Sequence, residues 1–181
     1  MVHDIKAAVA TGAHGVVIGA LLKSGEIDEE TTATLVAAAN RSCSITFHRA
    51  FDCCTTEPVA ALETLIRLGV DRVLTSGRAG SAWEGRDTIA RLMEAGRRRI
   101  VVMPGAGITQ HNVNPLMART GARELHVGSG CQEAVPQTHR QQSSVQLGAS
   151  GGGAGDVMMR VSPDLVSNLL VAMNTSTTAG S

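Results

Sequence analysis

The stretch Gly69-Val70-Asp71-Arg72-Val73-Leu74-Thr75-Ser76-Gly77 contains the pattern that decides the fold of this chain. It begins with a glycine that can end a helix, and a short apolar run then leads into a polar cluster. A glycine or asparagine just past a helix can adopt the left-handed conformation that caps it. A short run rich in Val, Ile and Leu that ends in this way is typical of a buried strand. The stretch therefore predicts a helix end followed by a strand.

The same order of helix stop and apolar run occurs five times along the chain. The stops are Gly12, Asn40, Gly69, Gly96 and Gly121. The runs that follow them are Val16-Val17-Ile18, Ile45-Thr46-Phe47, Arg72-Val73-Leu74, Ile100-Val101-Val102 and Glu124-Leu125-His126. Each cycle has roughly 25 to 30 residues, the length of one strand and one helix with short loops. We therefore predict an α/β fold with about five parallel βα units, whereas a closed barrel of this kind needs eight.

The composition excludes several classes of function. The 181 residues contain 16 basic and 16 acidic side chains, and only 2% are aromatic. The chain therefore lacks the basic field and the stacking surfaces that nucleic-acid binding needs. No apolar stretch is long enough to span a membrane, and we expect no secretory signal. Four cysteines without the spacing of a disulfide framework fit a reducing compartment, so we expect a cytoplasmic protein.

Capping residues mark the predicted helix starts. Residues 2–11 have the alanine-rich pattern of a helix tail. We expect the later helices to start after Asp28, near Thr55 or Thr56, at the capping box from Ser81 to Glu84, and at Asn114 with Pro115 as the first helical residue. Their predicted buried positions are Leu35, Val36, Ala39, Leu62, Leu65, Ile66, Leu68, Ile89, Leu92 and Met93.

The character of the sequence changes after Cys131. Residues 1–130 carry the repeated pattern, and residues 131–155 are rich in Gln, Ser and Gly without apolar periodicity, which predicts a disordered insertion. We expect order to return in residues 156–174, with a strand over Val157 to Val161 and a helix that starts at Ser162 to Asp164 and docks on the barrel. Residues 175–181 are predicted to be a loose tail.

The densest polar cluster at a predicted strand end is Thr46-Phe47-His48-Arg49-Ala50-Phe51-Asp52. Active sites of parallel βα folds lie at the carboxyl ends of the strands, and His48, Arg49 and Asp52 could bind an anion or transfer a proton there. Arg49 and Asp52 could equally form a structural ion pair that closes the loop, with His48 hydrogen-bonded inside the barrel. The spacing alone leaves both interpretations open.

Glycine-rich loops follow the last two predicted strands. Met103 to Ile108 contains Gly105 and Gly107, and Gly128-Ser129-Gly130 follows the fifth run. Glycines let backbone N–H groups approach an anion, and loops at these positions of a barrel often hold phosphate. Together with hydroxyl donors from Thr75 and Ser76, they predict an oxyanion pocket. Ordinary turn formation is the alternative for each loop.

Two adjacent cysteines, Cys53 and Cys54, come directly after the His48 cluster. Soft thiolates select Cu(I), and two of them near a His or Met would form a low-coordinate site. Adjacent side chains in an extended segment point to opposite sides, however, so the pair is not a natural chelate. Cu(I) binding by these two residues is therefore a hypothesis based on the ligand types.

The stretch from Thr46 to Asp52 resembles the signature of the CutC copper homeostasis proteins. The similarity covers residues 4–130 and is carried by several further motifs in the same order. These motifs are Gly15-Val16-Val17-Ile18-Gly19, Gly25-Glu26-Ile27-Asp28, Leu74-Thr75-Ser76-Gly77, Ala82-Trp83-Glu84-Gly85 and Met103-Pro104-Gly105-Ala106-Gly107-Ile108.

The resemblance implies a (β/α)8 TIM barrel, a cytoplasmic location, a role in copper handling and assembly as a homo-oligomer. It implies a polar pocket at the barrel mouth whose lining here would be His48, Arg49, Asp52, Thr75, Ser76 and residues 103–107. Members of the family begin with three further strands. We therefore expect an N-terminally truncated barrel of about five βα units plus a C-terminal strand and helix, which would pair with a full-length copy.

Three functions are compatible with these observations. The first is a role in copper homeostasis through Cu(I) binding. The second is an enzyme that acts on a small phosphorylated or carboxylated substrate, with His48 and Asp52 in acid/base roles and the loops at Gly105, Gly107, Gly128 and Ser129 as the anion anchor. The third is an inactive partial barrel. No reaction is firmly attached to the family that the chain resembles.

Overall fold

The computed structural model of the protein describes residues 1–136 and 157–175. No helix among these described residues is long and apolar enough to cross a membrane. Two short segments of the described chain, Arg49–Cys53 and Ser129–Cys131, are 3₁₀ helices. The α-helices are α1 (Val2–Ala10), α2 (Glu29–Ala39), α3 (Pro58–Arg67), α4 (Arg86–Gly96), α5 (Val113–Thr120) and α6 (Pro163–Thr175). The strands are β1 (Gly15–Ile18), β2 (Ser44–Phe47), β3 (Arg72–Thr75), β4 (Val101–Pro104), β5 (Gln132–Pro136) and β6 (Val157–Val161).

Strands β1 to β4 form one parallel sheet in which the spatial order is the order along the chain. β1 and β2 pair from Gly15 opposite Ser44 to Ile18 opposite Phe47. Each strand is followed by a helix that returns the chain to the opposite edge of the sheet, which is the parallel βα arrangement that the sequence predicts. The carboxyl ends of all four strands therefore lie at one edge, together with the polar loops that follow them.

The fifth predicted strand is reduced to a single residue. His126 pairs in parallel with Gly105, and its N–H donates to the carbonyl of Pro104 at 2.9 Å. The prediction of a strand over Glu124 to His126 is therefore wrong in extent, although the chain passes beside β4 in the predicted place. Charged Glu124 leaves too short an apolar run, and its carboxylate accepts instead from Nε of Arg72 at 2.7 Å.

The helix ends follow the capping residues in most cases. The Asp28 side chain accepts from the N–H of Thr31 at 2.9 Å, as an N-cap should. Asn40 and Gly121 end α2 and α5 in the left-handed conformation, with φ of 48° and 73°. Gly96 is an exception because it is the last residue of α4. A Cβ atom there would lie 2.9 Å from Ile100, so this glycine lets the helix pack closely on the following strand.

Three predicted helix starts are wrong by a few residues. α3 is capped by Glu57, whose carboxylate accepts from the N–H groups of Val59 and Ala60 at 2.8 and 3.1 Å, and the cap is neither Thr55 nor Thr56. The reciprocal bonds of the Ser81–Glu84 capping box form, but α4 begins two residues later, at Arg86. α5 begins at Val113 after Asn112, and the predicted cap Asn114 lies inside the helix with its Oδ1 buried and unpaired among the described residues.

The hydrophobic core lies between one face of the sheet and the helices. Phe47 and Val73 on the sheet and Phe51 after β2 are fully buried. Most of the predicted inward helix positions are also buried, namely Leu35, Ala39, Leu62, Leu65, Ile89 and Leu92. The others are only partly buried against this core, namely Val36, Ile66, Leu68 and Met93. On the opposite face of the sheet, no described residue buries Val17 of β1, which is 64% exposed.

The structure of the C-terminal part differs from the prediction of a disordered insertion over residues 131–155. Gln132–Pro136 forms β5 and pairs antiparallel with β6, with Ala134 opposite Met159. A strand is therefore present at the start of the segment for which disorder was predicted, while residues 137–155 and most of the predicted tail (176–181) lie outside the described residues. The predicted strand over Val157–Val161 and the helix after it are confirmed. Leu169 of α6 is only 6% exposed and belongs to the core.

We expect Gly85→Ala to lower the free energy of unfolding by about 2 kcal/mol or more, because a Cβ atom at Gly85 would collide with the backbone carbonyl oxygen of Ser76. Gly85 has a φ of −85°, so the cost would come from the collision and not from backbone conformation. Gly128→Ala is the comparison variant, since nothing lies within 4 Å of a Cβ atom there and any loss of stability would come from backbone conformation and not from a collision. Urea unfolding measures both, and equal stability of the two variants would contradict this packing.

Candidate functional site

The carboxylate of Asp52 lies where the loops after β2 and β3 meet, and it accepts hydrogen bonds from both. The Thr75 hydroxyl donates to its Oδ1. The backbone N–H groups of Ser76 and Arg78 donate at 3.0 and 3.2 Å, and Nε of Arg49 donates at 2.8 Å. The Asp52 side chain is only 8% exposed. This buried charge is therefore satisfied by donors that come from two separate loops, which fixes the loops to each other.

Local backbone conformation explains why these donors converge. The 3₁₀ helix Arg49–Cys53 turns the chain back over the sheet and buries Phe51, so Asp52 faces the next loop. After β3, Gly77 and Arg78 have φ of 71° and 62°. Left-handed residues in a turn can direct N–H groups into an anion-binding concavity. Here the N–H groups of Ser76 and Arg78 point into it, while the N–H of Gly77 between them donates to the Thr75 hydroxyl at 2.9 Å. In this protein, the anion in that concavity is the chain's own Asp52.

The surroundings of Asp52 keep it ionised. Burial acts to raise its pKa, but the hydrogen bonds from Thr75, Arg49 and the N–H groups of Ser76 and Arg78 outweigh burial and hold the pKa below the ordinary value of 3.8. A carboxylate with a lowered pKa and its oxygens already bonded is a poor proton donor near neutral pH. The geometry therefore favours the structural interpretation of the Arg49–Asp52 ion pair over an acid/base role for Asp52.

Thr75 and Ser76 are fully buried and their hydroxyls are used inside the protein. Ser76 Oγ accepts from Nη2 of Arg49 at 2.8 Å. Its single proton has an acceptor at 2.7 Å in the carbonyl of Ala79, while Asp52 is farther away, at 3.1 Å. The two residues predicted to offer hydroxyls to an external anion therefore lie at the predicted place, but their hydroxyls hold the loops together.

His48 lies beside this network and is fixed by its own backbone. Its Nδ1 accepts from the N–H of Ala50 at 3.0 Å, and the ring lies so close to Gly19 that a Cβ atom there would collide with it. Because a backbone N–H can only donate, the neutral ring carries its proton on Nε2. His48 therefore presents a hydrogen-bond donor at the carboxyl end of the sheet, in the tautomer that suits an anion and not a metal ion.

The glycine loops have two different explanations. A Cβ atom at Gly105 would lie 2.6 Å from Leu74, and Gly107 has a φ of 66° with Ser81 close by, so both glycines are required by packing or by the turn. Gly128 and Ser129 are exposed, and Gly128 has open space around it. Of the predicted anion anchor, only the loop at Gly128 and Ser129 therefore has free space for a ligand.

The two adjacent cysteines have side chains in different environments, as expected for neighbours in an extended segment. Cys53 is an exposed free thiol, whereas Cys54 is only 5% exposed and belongs to the core. Within residues 1–136 and 157–175, no three or more His, Cys, Asp or Glu side chains are grouped so that they could hold a metal ion. The chain alone therefore offers Cu(I) a single accessible thiol at this position.

Arg78 is the residue of this site that the sequence did not indicate. Its backbone N–H bonds to Asp52, its Nη1 donates to the carbonyl of Thr56, and its guanidinium lies 5.3 Å from the centroid of the Phe51 ring. The available signal was its position two residues after the Thr75-Ser76 pair, between glycines at a strand end. An arginine there has the same appearance as a solvated loop residue.

The family is decided by a comparison with known protein families. The model described as the CutC family matches residues 1–131, which is more than half of the chain. The chain belongs to the CutC family. The resemblance drawn from the motifs around His48, Arg49 and Asp52 is therefore confirmed. The matched span contains the four-stranded sheet and every residue of the Asp52 network.

Individual CutC relatives agree with this assignment. The human copper homeostasis protein cutC homolog is 47% identical over 150 residues, which cover 83% of this chain and 54% of the human protein. A CutC family protein of Pasteurella multocida is 48% identical over 127 residues, covering 70% of this chain and 51% of the bacterial protein. This CutC chain thus spans about half the length of the curated relatives that it matches.

A solved CutC structure shows the same fold. The crystal structure of CutC from Streptococcus agalactiae superposes with a TM-score of 0.65 at 29% identity, over 69% of this chain and 60% of that chain. The parallel βα units are those of a TIM-barrel-like α/β fold.

We expect Asp52→Asn to lower the free energy of unfolding of this CutC chain by about 2 to 4 kcal/mol at pH 7, because an amide leaves charged and backbone donors unpaired. Urea unfolding measures the loss. Asp87→Asn is the matched control, since it removes an exposed ion pair with Arg119 and is expected to cost about 1 kcal/mol or less.

The stability loss caused by Asp52→Asn should depend on pH, and the lowered pKa of Asp52 gives the sign. A lowered pKa means that the charge of Asp52 stabilises the fold above pH 3.8 and that this contribution is lost as pH falls through the folded-state pKa. The stability difference between wild type and Asp52→Asn should therefore shrink in acid. A difference that stays constant from pH 7 to pH 3 would show that the charge is not what holds the loops.

Proposed function

We propose that this protein serves in copper homeostasis in the cytoplasm, as part of a TIM-barrel-like assembly of CutC chains. The support is family membership together with the name of the human relative, which describes that protein as a copper homeostasis protein homolog. We further propose that the sheet is completed by pairing with another CutC chain, a second copy or a full-length one. The uncovered face at Val17, which is 64% exposed, is consistent with such pairing.

We propose that the carboxyl end of the sheet binds a small anion, a carboxylate or a phosphate, and that His48 contacts it directly. The observation that carries this proposal is the bond from the Ala50 N–H to Nδ1 of His48, which leaves Nε2–H as a donor. Arg49, whose side chain is 46% exposed, keeps a positive charge at the same edge. Arg49 and Arg78 together contribute one more positive charge than Asp52 removes, so the network around Asp52 favours an anion nearby.

The geometry of the site also limits which residues could act as acid or base if the protein is an enzyme. Acid/base chemistry on a small phosphorylated or carboxylated substrate would fall to His48 alone, because Asp52 is bonded by its neighbours and has a lowered pKa. Gly128 and Ser129, which are exposed beside the last strand position, would then contact the anionic group of the substrate.

Inorganic phosphate should shift the Cε1–H resonance of His48 in a saturable titration, because a bound anion perturbs the ring that donates to it. The resonance of His111, which is exposed and distant in sequence from the cluster, is the internal control. In His48→Asn the side-chain oxygen can still accept from the Ala50 N–H. We therefore expect a folded variant in which phosphate raises the melting temperature less than it does in wild type. A His48 resonance that phosphate leaves unchanged would refute the anion pocket.

Cu(I) binding is a second proposal, and the exposed free thiol of Cys53 supports it. A two-coordinate site would need another soft ligand, which a second copy could supply through its own Cys53. Cys53→Ser should then weaken Cu(I) binding at least about tenfold in a competition with a Cu(I) chelator under reducing conditions. Cys54→Ser is the matched control, because this buried side chain should affect stability and not Cu(I) affinity. Equal Cu(I) affinity of wild type and Cys53→Ser would remove Cys53 from any copper site.

A further inference from the structure

Arg78 carries two buried nitrogen donors, Nε and Nη2, that have no hydrogen-bond partner among the described residues. Its third side-chain nitrogen, Nη1, donates to the carbonyl of Thr56. A buried donor on a charged group without an acceptor is costly, more so than one on a neutral group. The face of Phe51 stabilises the positive charge but accepts no N–H bond along the edge of the guanidinium.

The two unpaired atoms belong to one edge of the guanidinium plane. The N–H of Nε and one N–H of Nη2 are parallel, so this edge suits two oxygens that are attached to one carbon or phosphorus atom. Arg49 shows how the protein uses such an edge, since its Nε donates to Asp52 and its Nη2 donates to Ser76 at 2.8 Å each. The Nε–Nη2 edge of Arg78 has the same two donors, but no acceptor among the described residues bonds to them.

The backbone holds Arg78 in this position at a cost. Its φ of 62° lies in the left-handed region, which a residue with a long side chain rarely occupies. The N–H of Arg78 is bonded to Asp52, so the strained conformation is locked to the loop after β2. Arg78 as a whole is part-buried, whereas Nε and Nη2 are themselves buried.

We propose that the Nε–Nη2 edge of Arg78 is a binding site for a small oxyanion, a carboxylate or a phosphate, between the loop after β3 and the segment that precedes α3. The site does not involve copper, and its donor atoms are not those of His48, although it uses the same excess positive charge of the Asp52 network. Its ligand bonds both nitrogens in a bidentate manner and neutralises the positive charge that Asp52 does not balance. A lysine at the same position would keep the charge but could not form the two parallel bonds.

The test follows the Nε–H resonance of Arg78 by proton–nitrogen NMR while inorganic phosphate, and separately acetate, is titrated into the His48→Asn variant. Using that variant removes the pocket proposed at His48, so failure of one site is not read as failure of the other. We expect a saturable shift of the Arg78 resonance with phosphate or with acetate, and the anion that gives it at lower concentration identifies the preferred class. In the same background, Arg78→Lys should raise the concentration of the preferred anion needed for a given rise in melting temperature about tenfold or more.

Arg86→Lys is the matched control. Arg86 also lies over an aromatic ring, 4.5 Å from the centroid of Trp83, and it also donates to a backbone carbonyl, that of Trp83, but on the exposed surface. In the His48→Asn background, Arg86→Lys should leave the phosphate-dependent rise in melting temperature unchanged. If neither anion moves the Arg78 resonance, the edge is bonded to buried water and the proposal is wrong. That resonance decides the question even if Arg78→Lys does not fold.

Discussion

The carboxylate of Asp52 determines how the carboxyl end of this sheet is organised. It accepts from Thr75, from the backbone of Ser76 and Arg78, and from Arg49. The loops after β2 and β3 therefore share one buried anion, and neither loop can move without leaving donors unpaired. The position of His48 and the exposure of Arg49 both follow from this arrangement, because each residue is adjacent to or part of the 3₁₀ helix that carries Asp52.

The parallel sheet could be predicted from the sequence because its signals are local. Helix stops such as Asn40 and Gly121, the Asp28 cap and the short apolar runs each act within a few residues. Two errors, the fifth strand and the start of the predicted disordered insertion, occurred where a distant contact competes with the local pattern. Glu124 bonds to Arg72, 52 residues away, instead of continuing a strand, and Gln132–Pro136 forms a strand only because β6 lies opposite. A polar run of that composition carries no strand signal of its own.

The site was predictable in its location but not in the roles of its residues. His48, Arg49 and Asp52 are adjacent in the sequence, and the end of a parallel strand places them at the functional edge. Whether Asp52 is a reactive group or a structural anion depends on donors 23 to 26 residues away, at Thr75, Ser76 and Arg78. The φ of Arg78 and its unpaired edge are properties of the folded loop, so no spacing rule indicates them.

Native-state hydrogen exchange of the Ser76 and Arg78 amides tests the central claim most directly, because both N–H groups donate to Asp52 and to no strand partner. If the shared carboxylate holds the two loops together, these amides exchange as slowly as those inside β2 and β3, and they exchange much faster in Asp52→Asn. Exchange of both amides in wild type at the rate of the exposed amide of Gly80 would contradict the account, since the loops would then open independently of the sheet.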